Sequence, residues 1–300
     1  MDLRTPRGLL ALSLSGLSAA RAIKAADEGE EPADLASAWE RAGQELAAER
    51  AQGRIHVSYF DDRYPARLRG IASPPILLRI SGEPQALSVP LVAVVGTREP
   101  TQFGVSAVEA AVAALAERGF GVVSGLARGI DTVAHRAALR AQAPTVAVLG
   151  SGLDRIYPPE NRALAEQIVA QGGAIVSELR DGTEVKPRQL IARNRLQSGL
   201  AVALVVGQTG LKGGTLHTVR FALEQGRPIW CPEPRAEHLR SQGLSVLLER
   251  PASELPDLLP AFASARRLCD GLGASPVARP FTRETLPELC RETAAACRLG

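Results

Sequence analysis

Short apolar runs of this sequence end in glycine-containing turns, and these turns hold the residues that could bind an anion. Glycine lets a ligand approach the backbone closely. In a parallel sheet such turns meet at the carboxyl edge, where backbone N–H groups and helix N-termini favour negative charge. The arginine of the first turn, Arg98, could clamp a phosphate through two parallel hydrogen bonds. The candidate anion-binding residues of the first two turns are Gly96, Thr97, Arg98, Ser124, Gly125, Arg128 and Gly129.

A second group of candidates comes from the segment KPRQLIARNR, in which every charged residue is positive. Such a stretch repels itself unless an anion lies nearby, so it indicates a polyanionic ligand. It lies between two predicted core strands and should face the same sheet edge as the glycine turns. The later segment KGGTLHT places two glycines and a threonine at a predicted helix N-terminus, which favours anions again. The candidates are Lys186, Arg193, Asn194, Arg195, Gly213, Gly214 and Thr215.

Three polar residues of the core are predicted to have structural roles instead. Asp131 is expected to cap the helix that holds His135, His135 to pack against its neighbours, and Asn161 to cap the next helix. No serine or cysteine nucleophile pairs visibly with His135, so no catalytic residue is assigned. The fingerprint GxGxxG, the P-loop GxxxxGK[ST], paired carboxylates and metal-ligand clusters are missing from the sequence. We therefore expect no enzyme, no cofactor and no metal site.

The composition is that of a globular protein. Of the 300 residues, 45% are hydrophobic and 22% are charged, which suffices for a sizeable core. The net charge of +3 neither demands nor excludes nucleic acid. Four cysteines without a CxxC pair indicate a reducing compartment, and we expect a cytoplasmic location. Arg4 and Arg7 before GLLALSLSGLSAA loosely imitate a signal peptide, but the interspersed serines favour a short helix. No apolar run approaches about 18 residues, so no membrane span is expected.

Changes in sequence texture divide the chain into four parts. Residues 1–54 are predicted to be a small helical domain, 55–90 a connector packed on the core, 91–262 the core, and 263–300 a linker with a short terminal helix at 286–298. Apolar runs that each predict a buried strand alternate in the core with amphipathic helix patterns. The predicted fold class is a doubly wound α/β domain, an extended Rossmann-like parallel sheet with a small N-terminal helical domain.

Taken in order, the motifs resemble a known family. The segments VVGTR, VVSGLARGIDTVAH, VAVLGSGLDRIYPPEN, ARNR, GGTLHT and GRPIWCP, with FDDRYPARLRGIASPPILLRISG before them, are similar to the DprA/Smf family of bacterial DNA-processing proteins. The resemblance covers residues 55–232, and the first 54 residues are compatible with that family's small helical (SAM-like) domain.

The resemblance implies a non-enzymatic homodimer that binds and protects single-stranded DNA in a basic pocket. It also implies that the protein promotes loading of a RecA-type recombinase during natural transformation. Arg98 would contact phosphate and Ser124, Gly125 and Gly129 would line the pocket. The residues implied for its basic wall are Lys186, Arg193 and Arg195.

The sequence departs from the family pattern at three places. Leu190 stands where the family typically has an aromatic residue. Gly207 and Gln208 stand where it usually has an acid at the end of a strand, and GGTLHTV replaces SGSLxTA. Two other functions stay open. One is a nucleotide phosphoribohydrolase, because GGT partly matches the glycine-rich PGGxGT loop of such enzymes. The other is a nucleotide-binding sensor. The phosphoribohydrolase would need a carboxylate near the ribose, and the candidates are Glu178 and Asp154.

Overall fold

Strand pairing in the computed structural model, which describes residues 1–234 and 241–298, gives one sheet of nine strands within those ranges. The order across the sheet is β1-β2-β6-β5-β4-β3-β7-β8-β9. In this order the seven strands β6-β5-β4-β3-β7-β8-β9 run parallel. β2 pairs antiparallel with both β1 and β6. The strands are β1 (Ile55–Ser58), β2 (Leu77–Gly82), β3 (Leu91–Val95), β4 (Gly121–Ser124), β5 (Thr145–Val148), β6 (Ala174–Ser177), β7 (Ala201–Val206), β8 (Ile229–Pro232) and β9 (Arg279–Phe281).

Helices cover both faces of this sheet, because its central strands are apolar at nearly every position. In β3, Val92 and Val94 pack on one face while Leu91, Ala93 and Val95 pack on the other. The helices of the described chain are α1 (Pro6–Leu14), α2 (Ala19–Glu28), α3 (Leu35–Ala51), α4 (Ala66–Arg69), α5 (Gln102–Ala116), α6 (Ile130–Arg140), α7 (Arg162–Ala170), α8 (Pro187–Leu200), α9 (Gly214–Glu224), α10 (Gln242–Glu249), α11 (Leu255–Leu258), α12 (Arg266–Leu272) and α13 (Leu286–Arg298). The predicted doubly wound fold is confirmed.

The order in which strands are added to the sheet reverses beside β3, and this reversal positions the candidate site. The chain passes from β3 through α5 to β4 on one side, whereas β7 pairs with the other side of β3. Loops after β3 and β7 therefore diverge from neighbouring strand ends and leave a crevice. The amide of Thr97 bonds to the carbonyl of Gln208 at 2.8 Å, which holds the two loops together at their base.

The third helix, α3, joins the sheet through a buried polar network with β1 and β2. The Arg79 guanidinium donates to both oxygens of Glu49 at 2.8 and 2.9 Å and to Glu45 at 2.9 Å. His56 contacts the same Glu49 carboxylate at 2.6 Å. Burial raises the pKa of Glu49, but the hydrogen bond with His56 and the charge of Arg79 outweigh it and hold that pKa at about 2. The network fixes α3 to the sheet as a set of charged hydrogen bonds.

The segments at both margins of the sheet hold more regular structure than the sequence predicts. The connector at residues 55–90 contributes β1 and β2 as an antiparallel pair, and residues 263–285 hold α12 and β9 rather than a linker. β1 and β9 have four and three residues and are not apolar throughout as the core strands are, so the sequence gives little signal for them. Each pairs with the edge of a neighbouring strand. The predicted terminal helix is α13, over the same residues. The domain boundaries themselves stay predictions. Within the described residues no helix is long and apolar enough to cross a membrane.

Candidate functional site

A cavity of about 910 Å³ opens at the carboxyl ends of β3 and β7. We call it the basic cavity. Its walls are the turn after β3, the start of α6, one face of α8 and the loop leading into α9. The predicted residues that line it are Gly96, Thr97, Arg98, Asp131, Arg193, Asn194, Gly213, Gly214 and Thr215. Four further lining residues are not among the predicted site residues: Lys212, Leu190, Gln197 and His217. Residues from four separate segments of the sequence thus share one site.

The turn after β3 depends on glycine at two places. A Cβ on Gly96 would lie 2.5 Å from the side chain of Ile130, so the first turn of α6 packs directly on this residue. Gly129 has a φ of +76° and a ψ of −126°, and a Cβ there would lie 2.7 Å from the Cα of Arg98. The two loops therefore touch backbone to backbone, which leaves the side chain of Arg98 exposed beside the cavity.

Asp131 is buried and braces the loop before its helix. Its carboxylate accepts hydrogen bonds from the amides of Gly125 at 3.0 Å and Ala127 at 3.3 Å. The capping position of α6 belongs to Gly129, without a side-chain cap, so the predicted capping role of Asp131 is wrong. The reason is its position inside the helix, from which the carboxylate reaches back along the loop. Burial raises the pKa of Asp131 and the charge of Arg193 opposes that rise.

Arg193 forms the floor of the cavity. Its guanidinium donates to the carbonyl of Gly125 at 2.8 Å, to the carbonyl of Val148, and to the side chain of Asn194 at 3.0 Å. Burial lowers the pKa of Arg193 to about 10, with Asp131 acting in the opposite direction, so the side chain is positive at neutral pH. This buried cation joins the ends of β4 and β5 and makes the cavity floor electropositive.

Arg195 lies on the other side of α8 and does not reach the cavity. Its guanidinium donates to both oxygens of Glu178 at 2.6 Å each and to the carbonyl of Ser73 at 2.9 Å. Residues two apart on an α-helix differ by about 200° in direction, so Arg193 and Arg195 cannot face the same ligand. One positive charge of the basic segment, that of Arg195, is therefore neutralised by Glu178, which follows β6.

The other predicted site residues fall into two groups. Lys186 is exposed at the start of α8 and is not among the cavity-lining residues, and Ser124 is buried, with its hydroxyl donating to Val94 at 2.6 Å. Gly125 and Arg128 line a small recess of about 10 Å³ beside the cavity, which we call the side recess. The described residues that line it are Arg98, Gly125, Ala127, Arg128, Tyr157, Pro158, Leu190 and Arg193.

Two of the predicted structural residues hold loops and strands together. Asn161 lies at the capping position of α7, but its amide donates to the carbonyl of Leu126 at 2.7 Å and to Thr132 at 2.9 Å, so its predicted capping bond is wrong. His135 is fully buried, with Nδ1 2.8 Å from the hydroxyl of Thr145. Burial lowers the pKa of His135 to about 3, and this ring is neutral at physiological pH.

Gln208 takes a structural role that the sequence does not reveal. Its side-chain oxygen accepts from the amide of Thr101 at 2.9 Å, and its nitrogen donates to the hydroxyl of Ser241 at 2.8 Å. The residue thereby ties the end of β7 to the starts of α5 and α10. A neutral amide suits this position because it both accepts and donates.

The charges around the basic cavity favour an anion. Arg98, Arg193 and Lys212 line it, and neither Arg98 nor Lys212 forms an ion pair within the described residues. Among those residues the sole lining carboxylate is Asp131, which is buried and bonded to backbone amides. The N-terminus of α9 adds the positive end of a helix dipole, since Gly214 begins that helix at the cavity wall. No group of His, Cys, Asp and Glu suited to a metal ion occurs in residues 1–234 and 241–298.

The fold and cavity define a Rossmann-type protein with a positively charged crevice at the point where strand order reverses. A family model described as DNA recombination-mediator protein A matches residues 56–260, and the chain belongs to that family.

Similar proteins agree with this assignment. Protein Smf of Synechocystis sp. is 38% identical over 221 residues, which are 72% of this chain and 54% of that protein. The structure of DNA processing protein A (DprA) from Streptococcus pneumoniae matches with a TM-score of 0.66 at 31% identity, over 82% of this chain and 98% of that one. DNA processing protein A from Helicobacter pylori, described for its single-stranded DNA binding mode, has the same fold at a TM-score of 0.62 and 24% identity, over 80% of this chain and 96% of that one. The chain spans about half the length of the curated relatives that it matches first.

Proposed function

We propose that this protein binds single-stranded DNA in the basic cavity and acts by binding rather than by catalysis. The observation that carries the proposal is the charge of the cavity: Arg98, Arg193 and Lys212 line it, and its one carboxylate within the described residues is buried. Phosphates of a nucleic acid strand fit such a groove because they are a row of negative charges. The family and the DNA-binding relative from Helicobacter pylori support DNA as the anion.

In this proposal the bound strand is protected and handed to a RecA-type recombinase during natural transformation, and the protein acts as a homodimer. These finer statements rest on the family resemblance. Light scattering of the purified protein tests the dimer. The rate of recombinase filament formation on DNA, measured with and without the protein, tests the handover.

The central experiment is a binding titration of a fluorescently labelled oligo-dT by anisotropy at several salt concentrations. The logarithm of affinity should fall with the logarithm of salt with a slope of about 0.7 for each phosphate contacted. Parallel titrations use duplex DNA, RNA and a mononucleotide. Lys212→Ala should lower both the affinity and the salt slope, because it removes one exposed positive charge from the cavity wall. Absence of oligo-dT binding at low salt would refute the function.

The alternative of a nucleotide phosphoribohydrolase has less support from the geometry. Glu178 accepts hydrogen bonds from the two terminal nitrogens of Arg195. Asp154 accepts one from the amide of Gly182 at 3.0 Å and lies on a loop that does not line the cavity. Among the described residues, a free carboxylate beside a ribose is therefore missing from the cavity wall. Release of free base from a nucleoside monophosphate would favour this alternative. Tight mononucleotide binding without turnover and without oligonucleotide binding would favour a sensor.

A further inference from the structure

Tyr157 stands apart from the other aromatic residues. Every Phe, Tyr and Trp of the sequence lies within the described residues, and Tyr157 alone is exposed, at 38%. Within residues 1–234 and 241–298 its hydroxyl has no hydrogen-bond partner, and its ring stacks on no other ring and lies under no cation. Most of the other aromatic side chains are buried or packed against a ring or an arginine, as Tyr59 is against Tyr64. A ring that is exposed and unpartnered, on a surface with few other aromatic side chains, is a candidate contact for a ligand.

The loop that carries Tyr157 is firmly attached to the core. Pro158 is buried, and its carbonyl accepts from the amide of Asn161 at 3.0 Å. The Asn161 side chain in turn donates to the carbonyl of Leu126 at 2.7 Å. Earlier in the same loop, the hydroxyl of Ser151 donates to the carbonyl of Arg155 at 2.7 Å. The ring therefore starts from a fixed backbone, which lowers the entropy lost when a flat ligand stacks on it.

The surroundings of the ring point to the chemistry of that ligand. Tyr157 lines the side recess with Arg98, Arg128 and Leu190, and the described lining of this recess includes no carboxylate. Arg98 and Leu190 also line the basic cavity, so the recess lies directly beside the cavity. Arg128 has one distant ion pair, with Glu160 at 3.9 Å, in which both side chains are more than half exposed. A ring, an apolar side chain and two cations side by side suit a molecule that alternates flat apolar groups with anions.

We propose that Tyr157 is a stacking platform for a nucleobase of the bound strand, with the adjacent phosphate at Arg98. The inference rests on the proposed function. Every base has a π-face, so this contact is tolerant of sequence. The bound strand would then cross the side recess as well as the basic cavity. The ring of Tyr157 would lie near Leu190, whose side chain has no ring for a base to stack on.

The test separates the base contact from the phosphate contact. Tyr157→Leu keeps an apolar side chain but removes the ring, and Tyr157→Phe keeps the ring. Anisotropy titrations compare oligo-dT with an abasic strand of the same length. We expect Tyr157→Leu to weaken oligo-dT binding about 5- to 150-fold and to leave abasic binding and the salt slope unchanged. Tyr157→Phe should recover the affinity that Tyr157→Leu loses. An oligonucleotide with 2-aminopurine should lose fluorescence on binding to the wild type and less on binding to Tyr157→Leu.

Each outcome is decisive. If Tyr157→Leu binds oligo-dT like the wild type while Arg98→Ala binds it weakly, the stacking inference is refuted and the proposed function stands. An equal loss on abasic DNA would assign Tyr157 to shaping the loop and would also refute stacking. If the wild-type protein binds no single-stranded DNA, both the proposed function and the stacking inference are refuted. Because Tyr157 is exposed, its variants should unfold at the wild-type urea concentration, which serves as the folding control.

Discussion

Arg195→Ala should destabilise the protein and leave its affinity for single-stranded DNA nearly unchanged, although Arg195 is part of the basic segment. The guanidinium makes a two-pronged ion pair with Glu178, and the two side chains are 15% and 20% exposed. It also donates to the carbonyl of Ser73 at 2.9 Å. The substitution therefore leaves a largely buried carboxylate without its partner.

The magnitude follows from the degree of burial. Exposed ion pairs contribute about 0–1 kcal/mol, whereas removing one partner of a fully buried pair costs about 3–5 kcal/mol. Hydrogen bonds to charged groups contribute about 1.5–3 kcal/mol. For a pair at this intermediate exposure we expect a loss of about 2 kcal/mol in the free energy of unfolding. The assay is urea unfolding followed by tryptophan fluorescence.

Arg98→Ala is the matched comparison. Arg98 is exposed and has no ion pair within the described residues, so its removal should change the free energy of unfolding by less than about 0.5 kcal/mol. The same change should weaken oligo-dT binding about tenfold, the loss of roughly 1.4 kcal/mol, and should lower the salt slope by about 0.7.

A double-mutant cycle completes the test. Glu178→Gln combined with Arg195→Ala should cost less than the sum of the two single changes, because the second removes a partner that is already lost. The reasoning is refuted if Arg195→Ala lowers DNA affinity as much as Arg98→Ala does while leaving stability intact. In that case the guanidinium would face the ligand and the ion pair with Glu178 would contribute nothing.

Two further predictions concern stability. Gly129→Ala should cost about 1–3 kcal/mol, since its φ is +76° and a Cβ would meet the backbone of the turn after β3; Gly172→Ala, with a φ of +78° and open space around it, should cost less in the same urea assay. Glu49 has a folded pKa of about 2, below the ordinary value of 4.5, because contacts with His56 and Arg79 outweigh burial. Its contribution of about 3 kcal/mol is present above pH 4.5 and is lost as the pH falls towards 2. The stability difference between wild type and Glu49→Gln should therefore shrink between pH 5 and pH 2; a constant difference would contradict the assignment.

The core of the fold is predictable from the sequence because its signals are local. Val92 and Val94 alternate with Leu91, Ala93 and Val95 in a run that is apolar throughout, which indicates burial on both faces. Glycines at the ends of such runs mark the carboxyl edge. The margins of the sheet carry no comparable signal, since β9 has only three residues and exists because β8 offers it hydrogen bonds.

The candidate site is predictable only in part, because a helix distributes neighbouring residues around its axis. Arg193 and Arg195 look alike in the sequence, yet one lies under the cavity and the other binds Glu178. Lys212 lines the cavity wall and could have been identified from the glycines that follow it. Tyr157 is exposed on a loop that Asn161 ties to Leu126, a contact between segments 35 residues apart that spacing does not reveal.

The short strands at the two margins of the sheet bear on how the protein avoids aggregation. β1 has four residues and β9 three, and Pro280 within β9 has no N–H to offer a further strand. Next to β9 lies β8, which is buried along its whole length. A truncated protein that lacked residues 279–298 would expose β8 as an apolar edge strand, with which strands of other chains could pair. The C-terminal segment thus has a protective value that its weak sequence pattern conceals, and expression designs should retain it.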